Sequence, residues 1–266
     1  MNRGYDVIVV GAGNAALAAG VSARDAGAEK VVVLEKAALE HRGGNTFFSG
    51  GLFRVAFDDV EQMFRLAPEA RDMPGFVEGV ETYPADDFTA DLLRVTEGRT
   101  DRELSNILIA NSYETICWMN NLGIEMELAL SLGGVRVGNV IKWPKGAIIR
   151  AKHEGIGLST SWFRIAEKHG VEILYQSGAV QLLQDNSGRV TGVRVKERAG
   201  YRDIMGGAVI LGCGGFEANM AWRAQYLGRP WDHAKVRGTM HNQGDGLRMA
   251  IEIGALQYGQ WSGCHA

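Results

Sequence analysis

Residues 5–10 (YDVIVV) form a short, β-branched apolar run that stops abruptly at Gly11, the pattern of a buried parallel strand. Residues 14–27 are alanine-rich. Ala15, Ala18, Ala19 and Ala23 let a helix pack closely on a sheet, and Gly27 reads as its C-cap. A second apolar run at 31–34 completes a βαβ unit over residues 5–35. Between 37 and 51 the period lapses into Gly-Gly-Asn and Ser-Gly-Gly, which predicts a loop. Residues 58–84, punctuated by Pro68, Pro74 and Pro84, predict an irregular surface excursion.

Residues 86–122 predict two helices. Leu92, Leu93 and Val95 mark the first; Leu104, Ile107, Leu108, Tyr113 and Trp118 mark the second, which Asp101 is placed to cap. A further helix at 157–170 leads into a strand at 171–175. Residues 179–183 and 190–195 flank Asn186-Ser187-Gly188 and predict a hairpin. A last buried strand is predicted at 208–211, ended by Gly212, Gly214 and Gly215, and a short helix at 246–254. Strands alternating with helices make this an α/β chain: a central parallel sheet with an added antiparallel hairpin or meander.

Composition narrows the function classes. With 266 residues the chain holds one large α/β domain or a domain plus a small lobe, and 46% hydrophobic with 22% charged residues is ordinary for a soluble protein. The net charge of −3, with scattered basic residues, gives no sign of a nucleic-acid partner. No apolar run reaches membrane-spanning length and no basic-then-apolar leader opens the chain, so the expectation is a cytoplasmic protein without a membrane span. Cys117, Cys213 and Cys264 are odd in number, far apart and without metal-ligand spacing, which predicts free thiols and no metal site. Glycine is the outlier at 36 residues, implying backbone brought close to a ligand in several places.

Gly11-Ala12-Gly13-Asn14-Ala15-Ala16 matches G-x-G-x-x-G/A between a strand and a helix. The first glycine makes a tight turn and the second lets the backbone approach a pyrophosphate. A small third residue allows close packing, while the helix N-terminus supplies N–H donors and a positive dipole. Glu35 ends the second strand, 22 residues beyond Gly13, where a carboxylate accepts from ribose hydroxyls and disfavours a 2′-phosphate. The motif does not choose between NAD and FAD. Gly43-Gly44-Asn45-Thr46 and Ser49-Gly50-Gly51, soon after Glu35-Lys36, would let the main chain run along an extended dinucleotide, with Asn45, Thr46 and Ser49 as hydrogen-bonding groups.

Three stretches, in order along the whole chain, carry a resemblance. They are DVIVVGAG through VLEK with GGNT and SGG; GVEILYQSGAVQLLQD through GRVTGVRV to AVILGCGGFEAN; and NQGDGLRMAIEIGA. With these the sequence resembles the flavoprotein subunits of the fumarate reductase and succinate dehydrogenase superfamily. Within it, GAGNAALAA, DFTADLLRVTEGRTDRELS, GGFEANMAWRAQYLG and KVRGTMHNQGDG look most like FAD-dependent tricarballylate dehydrogenases. The resemblance implies a Rossmann-like FAD-binding domain over 1–258 and the start of a capping domain at 259–266, the rest of that domain being absent. The cofactor residues it implies, together with those of the glycine motifs, are Gly11, Gly13, Asn14, Ala15, Glu35, Lys36, Gly44, Asn45, Thr46, Ser49, Gly50, Gly51, Ala179, Val180, Gly214 and Asp245. On the residues alone, Asp245 between two glycines reads equally as a helix cap.

A family histidine that binds a substrate carboxylate falls on His265, where the family's His-Pro-Thr is replaced by His265-Ala266. The implied catalytic arginine lies later in the family pattern, so the chain reads as the first half of a longer flavoenzyme. The implied reaction is oxidation of a saturated C–C bond beside a carboxylate, tricarballylate to cis-aconitate, on a di- or tricarboxylate substrate, with an electron-acceptor protein in the full system. His41 precedes the position at which the family attaches flavin covalently, so non-covalent FAD is expected. Two alternatives stand beside this: a catalytically incompetent FAD-binding fragment, and a relative of fumarate reductases or ketosteroid dehydrogenases.

Overall fold

The computed structural model describes residues 4–129, 134–143, 145–146 and 149–263. In chain order the elements are β1 (Tyr5–Val10), α1 (Asn14–Asp25), β2 (Val31–Leu34), α2 (Gly44–Phe47), β3 (Leu52–Phe53), α3 (Val60–Leu66), α4 (Ala85–Val95) and α5 (Arg102–Asn121). There follow β4 (Met126–Leu128), β5 (Val135–Val137), β6 (Val140–Lys142), β7 (Ile149–Ala151), α6 (Glu154–Lys168), β8 (Glu172–Leu174), β9 (Gly178–Gln184) and β10 (Val190–Glu197). The last three are β11 (Gly200–Leu211), α7 (Met220–Leu227) and α8 (Asp245–Glu252). The chain divides into two compact units, residues 1–48 with 159–266, and residues 49–158.

The first unit is built on a six-stranded sheet in the order β8-β2-β1-β11-β10-β9. The β-branched runs of β1 and β2 are buried on both faces, as a strand flanked by parallel neighbours requires. β11 is a twelve-residue strand with two partners. Its first half pairs antiparallel with β10, completing the expected hairpin into a meander, and its second half runs parallel to β1. Val10 stands level with Leu34 on one side and Leu211 on the other, so β2, β1 and β11 end together. The expected burial of 208–211 is only partly met, since Val209 and Ile210 are half-buried whereas Ala208 and Leu211 are exposed.

Helix α1 packs on this sheet through Ala16, Leu17, Gly20 and Val21. A Cβ on Gly212 would lie 2.8 Å from Ala16 Cα, so the small third residue of the glycine motif is required by the end of β11. At Gly11 the backbone has φ +102°, and a Cβ there would come within 2.7 Å of the Gly212 carbonyl oxygen, so this turn admits only glycine. A core of Ile8, Val10, Val32, Leu34, Leu182, Val193, Val195, Ile204 and Met249 joins sheet, meander and α8.

The second unit holds the antiparallel sheet β3-β7-β4, the β5-β6 hairpin and helices α3 to α5. Its first part corrects the expectation of a surface excursion at 58–84. Asp59 and Gln62 form a capping box on α3, and Phe57, Met63, Leu66, Phe76 and Tyr83 are almost wholly buried. Prolines here begin short helices rather than marking a free loop: Pro68 opens a 3-10 turn and Pro84 precedes α4. Asp101 caps α5 as expected, its carboxylate accepting from the Leu104 N–H at 3.0 Å. The buried face of that helix is Ser105, Ile109, Tyr113 and Ile116, however, and Leu104, Ile107 and Leu108 are more than half exposed.

The ring of Phe76 meets Phe64 at 6.1 Å and Trp143 at 5.4 Å. Phe76→Ala is therefore expected to destabilise this unit by about 3–5 kcal/mol. A lower denaturant midpoint and faster tryptic cleavage within 58–84 would register it; unchanged cleavage and midpoint would return the segment to the surface.

Candidate cofactor site

A cavity of about 520 Å³ opens at the carboxyl ends of β2, β1 and β11, within the size range of small-molecule sites. Of the residues singled out in the sequence, it brings together Gly11, Gly13, Asn14, Ala15, Glu35, Lys36, Gly44, Asn45, Thr46, Ala179, Gly214 and Asp245. Val180 does not line it, and its carbonyl instead accepts from Arg248 Nη2 at 2.9 Å. Ser49, Gly50 and Gly51 belong to the second unit, where the Ser49 and Gly51 carbonyls accept from Gly155 and Ala151. His265 lies outside the described residues.

Gly13, at the N-cap of α1, has extended backbone and no side chain with which to cap the helix, Thr46 takes only the first N–H, and no acidic group sits in the first turn. The helix start thus keeps its donor character and positive dipole for an anion. Neighbouring groups hold its shape. Thr46 Oγ1 accepts the Asn14 N–H at 2.8 Å, and Asn14 Oδ1 accepts from Trp162 Nε1 at 2.6 Å. Asn45 Oδ1 accepts the Thr239 N–H at 3.0 Å, tying the glycine-rich loop to residues 238–239. The segment expected to be all loop contains a short helix, α2, beginning at Gly44.

Glu35 is buried at 6% exposure, and its carboxylate accepts from the Ala37 N–H at 2.7 Å and from the backbone of Gly43 and Lys36. Burial nevertheless dominates and pushes its pKa above the usual carboxylate range, the three N–H groups pulling the other way. Beside it Lys36 Nζ meets Asp245 Oδ2 at 2.7 Å, a pair more than a third exposed on the lysine side. Asp245 is not the cap of α8: Gly244, in left-handed conformation, takes that position and Asp245 opens the first turn.

The sequence reading missed one wall. Leu211, Gly212, Cys213, Thr239, His241, Asn242 and Gln243 also line the cavity. Burial raises the pKa of the Cys213 thiol. It lowers that of His241, reinforced by the positive charges of Lys36 and His41. The sequence signal for this wall lay in the stretches AVILGCGGFEAN and KVRGTMHNQGDG, which single out none of these seven residues.

Residues 6–261 match the profile of the family described as FAD binding domain. This chain belongs to that family, within the fumarate reductase and succinate dehydrogenase flavoproteins. It is 29% identical to a vinyl phenol reductase of Lactiplantibacillus plantarum over 96% of its own length and 47% of the relative's. It is 30% identical to a urocanate reductase of Eggerthella lenta, covering 94% of this chain and 38% of that one. The open conformation of a flavocytochrome c3 fumarate reductase superimposes with a TM-score of 0.76 at 26% identity, over 96% of this chain and 41% of that one. The chain therefore spans less than half the length of each of these three proteins.

The cavity of this FAD-binding domain suits the cofactor chemically. The start of α1 offers N–H donors and a positive dipole suited to an anion such as a diphosphate, the buried Glu35 carboxylate offers an acceptor suited to hydroxyl donors, and glycines replace side chains where the main chain lines the wall. The state of Glu35 without cofactor follows from its raised pKa. Protonation of Glu35 favours the folded state at acidic pH, and that contribution is lost as pH rises through the folded pKa. The stability difference between wild type and Glu35→Gln is thus expected to shift in favour of the variant between about pH 4 and about pH 8. Urea midpoints of the cofactor-free chains at the two pH values measure it; a parallel pH dependence would show that burial does not raise this pKa.

Proposed function

We propose that this chain is the FAD-holding part of an oxidoreductase acting on a CH–CH bond beside a carboxylate, with FAD bound non-covalently. The observation that carries the reading is the convergence of the Gly11–Ala15 turn, Glu35, Gly44–Thr46 and Ala179 on one cavity at three strand ends. In it the first turn of α1 holds the diphosphate, Glu35 the adenosine ribose and Ala179 the adenine. Gly44, Asn45, Thr46, Gly214 and Asp245 take the rest of the dinucleotide. Ser49, Gly50 and Gly51 are assigned to the flavin, and His265 to a substrate carboxylate, on the resemblance alone. Bound FAD supplies hydride transfer. The chain's own residues fix its position, exclude water through the apolar ends of β1, β2 and β11, and keep the Glu35 carboxylate aimed at hydroxyl donors.

The substrate we infer is a di- or tricarboxylate, tricarballylate being oxidised to cis-aconitate, on the strength of the sequence phrases. A second reading, reduction of an activated alkene, is favoured by the names of the relatives, a vinyl phenol reductase and a urocanate reductase. We place the protein in the cytoplasm with a separate electron-carrying partner; no described helix is long and apolar enough to cross a membrane.

Absorbance of the purified chain after FAD addition and desalting tests the first step. Retained flavin that acid precipitation releases into the supernatant is expected; flavin that stays with the pellet would exclude non-covalent binding. In the whole protein, anaerobic tricarballylate is expected to bleach the flavin band. Reoxidation of the reduced flavin by urocanate or fumarate, without bleaching by tricarballylate, would select the reductase reading. Ribose hydroxyls donating to Glu35 favour its ionised form, so FAD affinity is expected to fall as pH drops through the raised Glu35 pKa. Fluorescence titrations at several pH values would read this, and Glu35→Gln is expected to flatten the dependence.

A further inference from the structure

Among the described residues, Trp143 Nε1, Asp232 Oδ1 and Asn242 Oδ1 are buried without a hydrogen-bond partner, and of these residues only Asn242 lines the cofactor cavity. Asn242 is 8% exposed. Its Nδ2 donates to the Glu217 carboxylate. That contact sets which way round the amide lies, because a flipped amide would turn its oxygen onto a carboxylate. The negative charge of Glu217 also polarises the amide and makes Oδ1 the stronger acceptor. Main-chain bonds hold the residue in place. The Asn242 carbonyl accepts from the Ala218 N–H at 2.9 Å, and Gly244 donates to the Gly215 carbonyl at 2.9 Å.

Gly214 packs directly against this buried oxygen. Its φ is +73°, and a Cβ there would lie 2.8 Å from Asn242 Oδ1. A buried acceptor with no donor is rare and costly, and one carried by a side chain that lines a ligand cavity marks where a ligand donor belongs. Sheet order says which part of the ligand that is. The three strands end level in the order β2, β1, β11, so Glu35 and the Gly212–Gly214 exit lie on opposite sides of the Gly11 turn. With ribose at Glu35 and diphosphate at the Gly11 turn, the Asn242 corner faces the other half of the dinucleotide.

We propose that Asn242 accepts a hydrogen bond from an N–H or O–H donor on the flavin half of FAD, and that Glu217 is the positioning residue that aims it. The inference rests on the FAD reading above. Dissociation constants for FAD and for ADP, measured by titration of wild type, Asn242→Leu and Glu217→Gln, test it alongside melting of the ligand-free proteins.

In Asn242→Leu, FAD affinity is expected to fall about tenfold, the loss of one net hydrogen bond. ADP affinity is expected to stay at the wild-type value. The ligand-free melting temperature is expected not to fall, because the substitution removes an unpartnered acceptor. Glu217→Gln, which still offers an oxygen to Nδ2 but loses the charge, is expected to lower FAD affinity by less than Asn242→Leu does; an affinity equal to wild type would remove the positioning role of Glu217. Unchanged FAD affinity in Asn242→Leu overturns the proposal, as does an equal loss for ADP or a loss of both ligands with a lowered melting temperature. Wild type that binds neither FAD nor ADP is a separate result, which removes the FAD reading and this inference with it. Riboflavin and lumiflavin share the ring imide N–H but differ in ribityl hydroxyls. A loss in Asn242→Leu confined to riboflavin assigns the donor to the ribityl chain, and a loss for both assigns it to the ring.

Discussion

The level ends of β2, β1 and β11 are the constraint on which the cofactor site depends. Parallel pairing puts Leu34, Val10 and Leu211 side by side, and each chain must leave the sheet there without covering its neighbours. Gly11 leaves with a backbone conformation closed to other residues, directly against the Gly212 carbonyl. Gly212 in turn abuts Ala16 on α1. A side chain at any of these places would separate helix from sheet or fill the crevice. Small residues at the exits of β1 and β11, with Ala16 facing them, therefore serve packing and ligand access at once, as at the carboxyl edge of open α/β sheets in general.

Electrostatics within the crevice follow from depth rather than from charge count. Lys36 and Asp245 form its shortest ion pair, yet both are partly exposed, so the pair contributes little to stability. Glu35 is different because it is buried. Three main-chain donors do not offset its desolvation, and its pKa stays raised. The loop that supplies those donors is itself fixed from behind. Arg42 stacks on Phe163 at 4.0 Å and donates to the Tyr175 hydroxyl at 2.6 Å, which anchors the residue preceding Gly43. The position of one carboxylate is thus set by a cation–π contact on the far side of its own loop.

What could be read from the sequence was what is local and periodic. The β1-α1-β2 unit, Glu35 at the end of β2, the β9-β10 hairpin and the Asp101 cap each declare themselves within a short window, and all are present. Residues 58–84 did not, because Phe57, Met63, Phe76 and Tyr83 follow neither a period of two nor one of 3.6 and are buried by tertiary packing alone. On α5 the apolar residues run round the helix, so the sequence named the helix but not the face that Ile109, Tyr113 and Ile116 bury. The wall formed by Thr239, His241 and Asn242 was out of reach for another reason. Asn242 acquires its meaning only from Glu217, 25 residues earlier, and from the glycine packed against its oxygen.

Glu35 and Asn242 are alike in one respect: each is a buried acceptor that the protein leaves under-supplied with donors. Such groups weaken the cofactor-free fold, since an apolar side chain of similar shape at either place would avoid the desolvation cost. Their placement on either side of the Gly11 turn, at exits of the same sheet, argues against accident. A ligand that brings donors to both corners restores what folding left unpaired, and its binding adds to stability by mass action. The glycine turn supplies attraction for an anion, which many phosphates would satisfy. On the proposed reading, discrimination for a long dinucleotide would come from the two acceptors, because only a molecule that spans the turn with donors at both ends meets them together.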